Sequence, residues 1–148
     1  MALPAKTEPV IVCLDADVFI AGLFSTTGAS HAILVLAEIG LLRTVVPEAV
    51  VSEVRRNLRK MLPEALPAFE NLLKAALVTV YRPGAADLRG AKPLSHPKDI
   101  PVMAAALGSG SKMLVTHTRH FRSTDAIRVI RPRELVEEAR AWMARFNP

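Results

Sequence analysis

The stretch Val10-Ile11-Val12-Cys13-Leu14-Asp15-Ala16-Asp17 decides how the rest of the chain is read. Its first five residues are a continuous apolar run rich in β-branched side chains. Such a run has no polar face to offer water, so it fits a strand buried on both faces of a parallel sheet. The run stops at Asp15, an acid directly at the end of a buried strand. Asp17 is read as the cap of a short helix over residues 18–23. Parallel sheets bind ligands beyond the carboxyl ends of their strands, so Asp15 stands where chemistry is expected.

Working outward, residues 29–39 carry Ile33, Leu36 and Ala37 on one helical face, with Gly40 just past the end. A second strand is expected at residues 43–46. Pro47 then opens a helix with Val50, Val51, Val54 and Leu58 at helical spacing. Pro63 and Pro67 interrupt the next stretch and start a helix that runs through Leu72, Leu73 and Ala76. Residues 77–81 read as the third strand, and residues 82–98, rich in Gly, Pro and charge, as loop. A helix over residues 99–107 precedes a fourth strand at 113–116. A fifth strand is expected at 127–130. Pro132 opens the last helix, whose inner face would hold Leu135, Val136, Ala139 and Met143. Strands alternate with helices to the end, which gives an α/β sandwich: a mostly parallel sheet of about five strands with helices on both faces.

The 148 residues suit one domain, with no internal repeat or linker. A hydrophobic share of 51% against 22% charged residues excludes a disordered chain or a coiled coil. The lone Cys13 excludes a disulfide framework within the chain, and a reducing cytoplasm is the simplest setting. The longest stretch without Asp, Glu, Lys or Arg, residues 18–37, is broken by Ser25-Thr26-Thr27-Gly28 and Ser30-His31, so it reads as two short helices rather than a membrane span. No signal peptide is expected at the N-terminus. Net charge is +5 and uneven: residues 1–74 hold 7 Lys+Arg against 8 Asp+Glu, and residues 75–148 hold 12 against 6. The basic half suits a polyanion such as nucleic acid.

Three acids fall at comparable places on this map. Asp15 follows strand one, Glu53 lies one to two turns into the helix after strand two, and Asp99 opens the helix that leads into strand four. Carboxylates converging at one sheet edge repel one another. A hard divalent cation, Mg²⁺ or Mn²⁺, resolves the repulsion, activates water and steadies charge on a phosphate. With the basic half, this points to phosphodiester hydrolysis. His117 and His120 stand three apart without a third zinc ligand nearby. Arg55, Arg56, Arg59 and Lys60 follow Glu53 on one helix, and Arg119 and Arg122 lie near strand four; these could grip phosphates.

The order of these segments resembles the PIN-domain ribonucleases, particularly the toxin components of bacterial and archaeal toxin–antitoxin modules. The resemblance runs from about residue 10 to 138. Residues 10–20 look like the opening strand with its metal-binding Asp15, and Asp17 takes an auxiliary polar place. Val50-Val51-Ser52-Glu53-Val54 is similar to the helix carrying the acidic Glu, and His96-Pro97-Lys98-Asp99-Ile100-Pro101 to the third acid. Leu114-Val115-Thr116-His117-Thr118-Arg119 resembles the segment that usually bears a fourth acid, two residues after its Thr. Here that place holds Thr118, a neutral side chain, so a second metal would be held less firmly. Thr116 could orient water or a bound acid. The resemblance implies a PIN-like three-layer fold and a Mg²⁺- or Mn²⁺-dependent ribonuclease using Asp15, Glu53 and Asp99. It also implies a homodimer and a small antitoxin that covers the site.

Other classes fit less of the chain. Asp15-Ala16-Asp17 also opens the nucleophile pattern of haloacid-dehalogenase phosphatases, but Phe19 stands where Thr or Val is usual and no paired late acids complete that site. A receiver domain would need a phosphorylatable Asp after strand three, where Tyr81-Arg82-Pro83 stands. A degenerate nucleic-acid-binding or protein-interaction module remains open because of Thr118.

Overall fold

The computed structural model describes residues 10–75 and 78–145. Strand β1, Val10–Leu14, lies at the centre of a five-stranded sheet of order β3-β2-β1-β4-β5, where β2 is Leu42–Pro47, β3 Val78–Tyr81, β4 Met113–Val115 and β5 Arg128–Ile130. Every pairing is parallel. Val12, Cys13 and Leu14 of β1 and all three residues of β4 are fully buried, as their apolar runs require. The edge strand β3 leaves Val80 exposed. The chain is therefore the α/β parallel sandwich expected. Leu77, expected to start β3, and Ala76, expected in the preceding helix, lie outside the described residues.

Helices α1 (Ala16–Phe24) and α2 (Ala29–Glu38) join β1 to β2; α3 (Glu48–Met61) and α4 (Leu66–Lys74) join β2 to β3; α5 (Ala85–Ala91) and α6 (Ile100–Gly108) join β3 to β4; and α7 (Pro132–Ala144) follows β5. Right-handed crossovers that run outward from β1 to β3 and then back across to β4 place α1–α4 on one face and α5–α6 on the other. The contacts agree: α1 packs on α2, α3 and α4, while α5 packs on α6. Phe19 of α1 meets Phe69 of α4 edge to face at 5.3 Å, which adds about 0.5–1.5 kcal/mol beyond area burial. Val50, Val51, Val54 and Leu58 of α3 are buried, as their spacing predicts. Gly40 and Gly110 adopt φ of 86° and 73° just beyond α2 and α6, the left-handed turn that lets each helix stop.

Three readings are corrected. Residues 82–98 are not plain loop: they contain α5 and two short 3₁₀ turns. The helix depends on Asp87, whose Oδ2 accepts from the Tyr81 hydroxyl at 2.9 Å and the Gly84 amide at 3.0 Å, and on packing against α6. Asp15, not Asp17, caps α1: its Oδ1 accepts from the Ala16 amide at 2.8 Å. Met143 lies near the exposed end of α7 and is not on its buried face. The uncharged stretch is two helices, α1 and α2, bent by 100°; among the described residues no single helix is long and apolar enough to cross a membrane.

Candidate functional site

β1 and β4 are neighbours, and the connections leave them toward opposite sides of the sheet. Their carboxyl ends thus form the switch point at which a crevice opens. Asp15 directly follows β1 and Thr116 directly follows β4. The Asp15 amide donates to the Val115 carbonyl at 3.0 Å and the Thr116 amide to the Ile130 carbonyl at 3.1 Å, which continues the ladder up to both side chains. Thr116 is buried, and its Oγ1 donates to Asp15 Oδ2 at 2.7 Å. The Thr118 amide donates to Thr116 Oγ1 at 3.1 Å, which fixes the hydroxyl's direction.

Asp17 sits in the first turn of α1, where the helix dipole favours an acid. Its Oδ2 accepts from the His117 amide at 3.1 Å. Its Oδ1 is buried with no hydrogen-bond partner. Asp99 closes the 3₁₀ turn before α6 and makes no capping bond, so its side chain is not occupied as an N-cap. Asp99 Oδ2 is likewise buried without a hydrogen bond, with His120 Nδ1 3.9 Å away. Glu53 is exposed on the second turn of α3.

Asp15, Asp17, Glu53, Asp99 and Thr118 line one cleft of about 350 Å³, and Lys98 and His120 line it too. The electrostatics follow from that crowding. Burial, and to a smaller degree the charge of Asp99, raises the Asp15 carboxyl above its ordinary value against the Thr116 and Ala16 hydrogen bonds. Burial and the charge of Asp15 raise Asp17 in the same way. Burial also pushes the Cys13 thiol far up, so it is an inert core group.

The donor set fits a hard divalent cation: four carboxylates, two of them with a buried oxygen that accepts no hydrogen bond, and no sulfur. Among the described residues no three His, Cys, Asp or Glu side chains stand close enough to enclose an ion as they are. Mg²⁺ keeps several of its waters and takes one or two carboxylates directly, so such a spread is compatible with it.

The proposed phosphate contacts divide. Arg55 is bound by both its Nε and Nη2 to Glu70 of α4, at 2.8 and 2.7 Å, so its guanidinium is already engaged. Arg56, Arg59, Lys60, Arg119 and Arg122 are exposed. The sequence reading missed Lys98 as a cleft residue; its place one residue before Asp99 was the available signal. It also missed the His117 amide as the partner of Asp17, for which no sequence signal exists.

The PIN domain family profile matches residues 11–120. No curated protein matches the sequence significantly. A chain in the crystal structure of VapBC2 from Rickettsia felis, bound to a DNA fragment from their promoter, is similar in fold, with a TM-score of 0.63 at 12% sequence identity. That match covers 82% of this chain and 98% of the other.

Proposed function

The chain belongs to the PIN-domain family, and from that premise we propose that it is a single-domain, Mg²⁺- or Mn²⁺-dependent ribonuclease that hydrolyses RNA phosphodiesters as the toxin of a toxin–antitoxin pair. The observation that carries this reading is the cleft at the carboxyl ends of β1 and β4, where four carboxylates gather and two buried carboxylate oxygens accept no hydrogen bond. Asp15, Glu53 and Asp99, with Asp17 beside them, would hold the ion. When bound, such an ion supplies an activated water and offsets charge on the phosphate.

The chain's own residues do the rest. Thr116 holds Asp15 in one rotamer, and the His117 amide holds Asp17. Lys98 gives the cleft a cationic group, and His120 a ring nitrogen, for the RNA backbone. Exposed Arg59 and Lys60 on α3 and Arg119 and Arg122 beyond β4 are available for further phosphate contacts, so RNA affinity would fall with salt. A cytoplasmic setting, a homodimer and a small antitoxin partner belong to this reading. The likeness to VapBC2, seen with promoter DNA, supports the pairing.

The test is cleavage of single-stranded RNA with Mn²⁺ and with excess chelator, alongside Asp15→Asn. Cleavage that survives chelation, or that survives in Asp15→Asn, would overturn the reading. Thr118 in the cleft favours a second reading, a non-catalytic RNA-binding module. RNA bound by the wild type in Mn²⁺ but never cut would select it.

A further inference from the structure

We propose that Ser30 of α2 is a positioning residue for the acid cleft and acts through His117; its metal arm rests on the function proposed above. None of the α2 residues lines the cleft. Ser30 is 4% exposed, and its Oγ lies 2.7 Å from His117 Nε2. Gly22 makes this approach feasible: a Cβ there would stand 3.0 Å from the Ser30 carbonyl oxygen and 2.7 Å from a Leu34 methyl. With no side chain at residue 22, α1 and α2 close together at the turn that carries Ser30.

His117 is gripped from three directions. Its ring meets Ser30, its amide donates to Asp17 Oδ2, and its carbonyl accepts from Arg131 Nη1 just ahead of α7. Residues 116–118 lie outside β4 and have no ladder of their own beyond the Thr116 amide. The side-chain grips therefore fix where the loop points its donors. Those donors decide the rotamer of Asp17: one oxygen is tied to the His117 amide, and Oδ1 is left as the atom free for a ligand. The same loop carries Thr116, whose hydroxyl sets Asp15. Ser30, outside the cleft lining, thus bears through His117 on the aim of Asp17.

A tie between α2 and the loop that served packing alone would leave the His117 amide indifferent to Ser30. The experiment measures three quantities in Ser30→Ala, His117→Ala, the double variant and His117→Gln, whose amide can stand in for Nε2. They are hydrogen exchange at the residue 117 amide without metal, the Mn²⁺ Kd by calorimetry, and the midpoint of urea unfolding. Ser30→Ala is expected to speed exchange at that amide and to weaken Mn²⁺ binding about tenfold, the low end for lost support behind a metal ligand. The double variant should bind Mn²⁺ no more weakly than the worse single variant, and His117→Gln should stay close to wild type. Unchanged amide protection in a folded Ser30→Ala variant would overturn the proposal, as would additive losses in the double. If the wild type binds no Mn²⁺, the metal-centre reading fails, and amide exchange alone still decides whether Ser30 positions the loop.

Discussion

Thr116 donates its hydroxyl hydrogen to Asp15 across 101 residues of sequence, at 2.7 Å. That bond joins the ends of the two central strands at the point where the sheet's connections diverge. It also opposes the burial that raises the Asp15 carboxyl.

Removing the hydroxyl tests the bond. In Thr116→Val, Asp15 keeps its burial and is deprived of the strongest hydrogen bond opposing it. Hydrogen bonds to charged groups contribute about 1.5–3 kcal/mol, so urea unfolding should show a loss in that range at pH 7. Thr116→Ser keeps the donor and should recover most of it. Equal stability of Thr116→Val and wild type would mean that the bond contributes nothing net.

Asp15→Asn separates stability from activity. The native Asp15 carboxyl holds its proton to higher pH than the unfolded chain does. The native state therefore binds more protons between the two pKa values, and stability falls as pH rises through that window. The penalty is absent below the ordinary carboxylate range and complete above the raised native value. Asn carries no charge and caps a helix about as well as Asp. In excess chelator the variant should gain on wild type from pH 4 to pH 7, read as the difference in urea midpoints. RNA cleavage should fall about 10²–10⁴-fold, the scale for losing a group that supports the attacking system. A stability gap that does not change with pH would show that Asp15 is not the strained acid.

Thr118→Asp tests the missing acid. Thr118 lines the cleft, so a carboxylate there adds charge beside the other acids. Mn²⁺ affinity should rise about tenfold, equivalent to about 1.4 kcal/mol, when measured by calorimetry. Weaker binding would mean that repulsion among five carboxylates outweighs the new ligand. Unchanged binding would mean that this side chain does not reach the ion.

The basic helix α3 should divide into two functions. Arg55→Ala breaks a partly exposed bidentate pair with Glu70 and should cost about 0.2–1 kcal/mol of stability, with RNA affinity unchanged. The Arg59→Ala/Lys60→Ala pair should leave stability nearly unchanged. It should also flatten the logarithmic salt slope of RNA binding by about 0.7 for each phosphate no longer neutralised. Filter binding across a salt series and urea unfolding read both. The reverse pattern would mean that Arg55 leaves Glu70 for RNA.

Gly108→Ala inverts the usual helix rule. Alanine gains about 0.5–1 kcal/mol over glycine in mid-helix and less at a last helical residue such as Gly108. Here its Cβ would lie 2.5 Å from the Asp87 carboxyl group. Moving Asp87 breaks its bonds from Tyr81 and Gly84, each worth about 0.5–1.5 kcal/mol. Thermal unfolding should therefore show net destabilisation of up to about 2 kcal/mol; a gain would mean that Asp87 moves aside freely.

The apolar run from Val10 to Leu14 determined by itself a buried central strand, because a sequence with no polar alternation has no stable place at a solvated edge. The spacing of Val50, Val51, Val54 and Leu58 likewise determined the buried face of α3, and the order of strands and helices the parallel sandwich. Asp15 was legible too, since an acid at the end of such a strand must emerge at the sheet's carboxyl edge. Local pattern could not reveal α5, whose Gly- and Pro-flanked turns hold only through Asp87 and α6. Nor could it assign the cap of α1: the helix starts at Ala16, so Asp15 caps it and Asp17 falls in its first turn, where the His117 amide from the loop after β4 meets it. Arg55 read as a phosphate ligand until α4 brought Glu70 against it. Burial and periodicity are properties of neighbours along the chain, so they are written in the sequence. The partner of a polar side chain is chosen by whatever the fold brings within about 3 Å, and that only the tertiary structure decided.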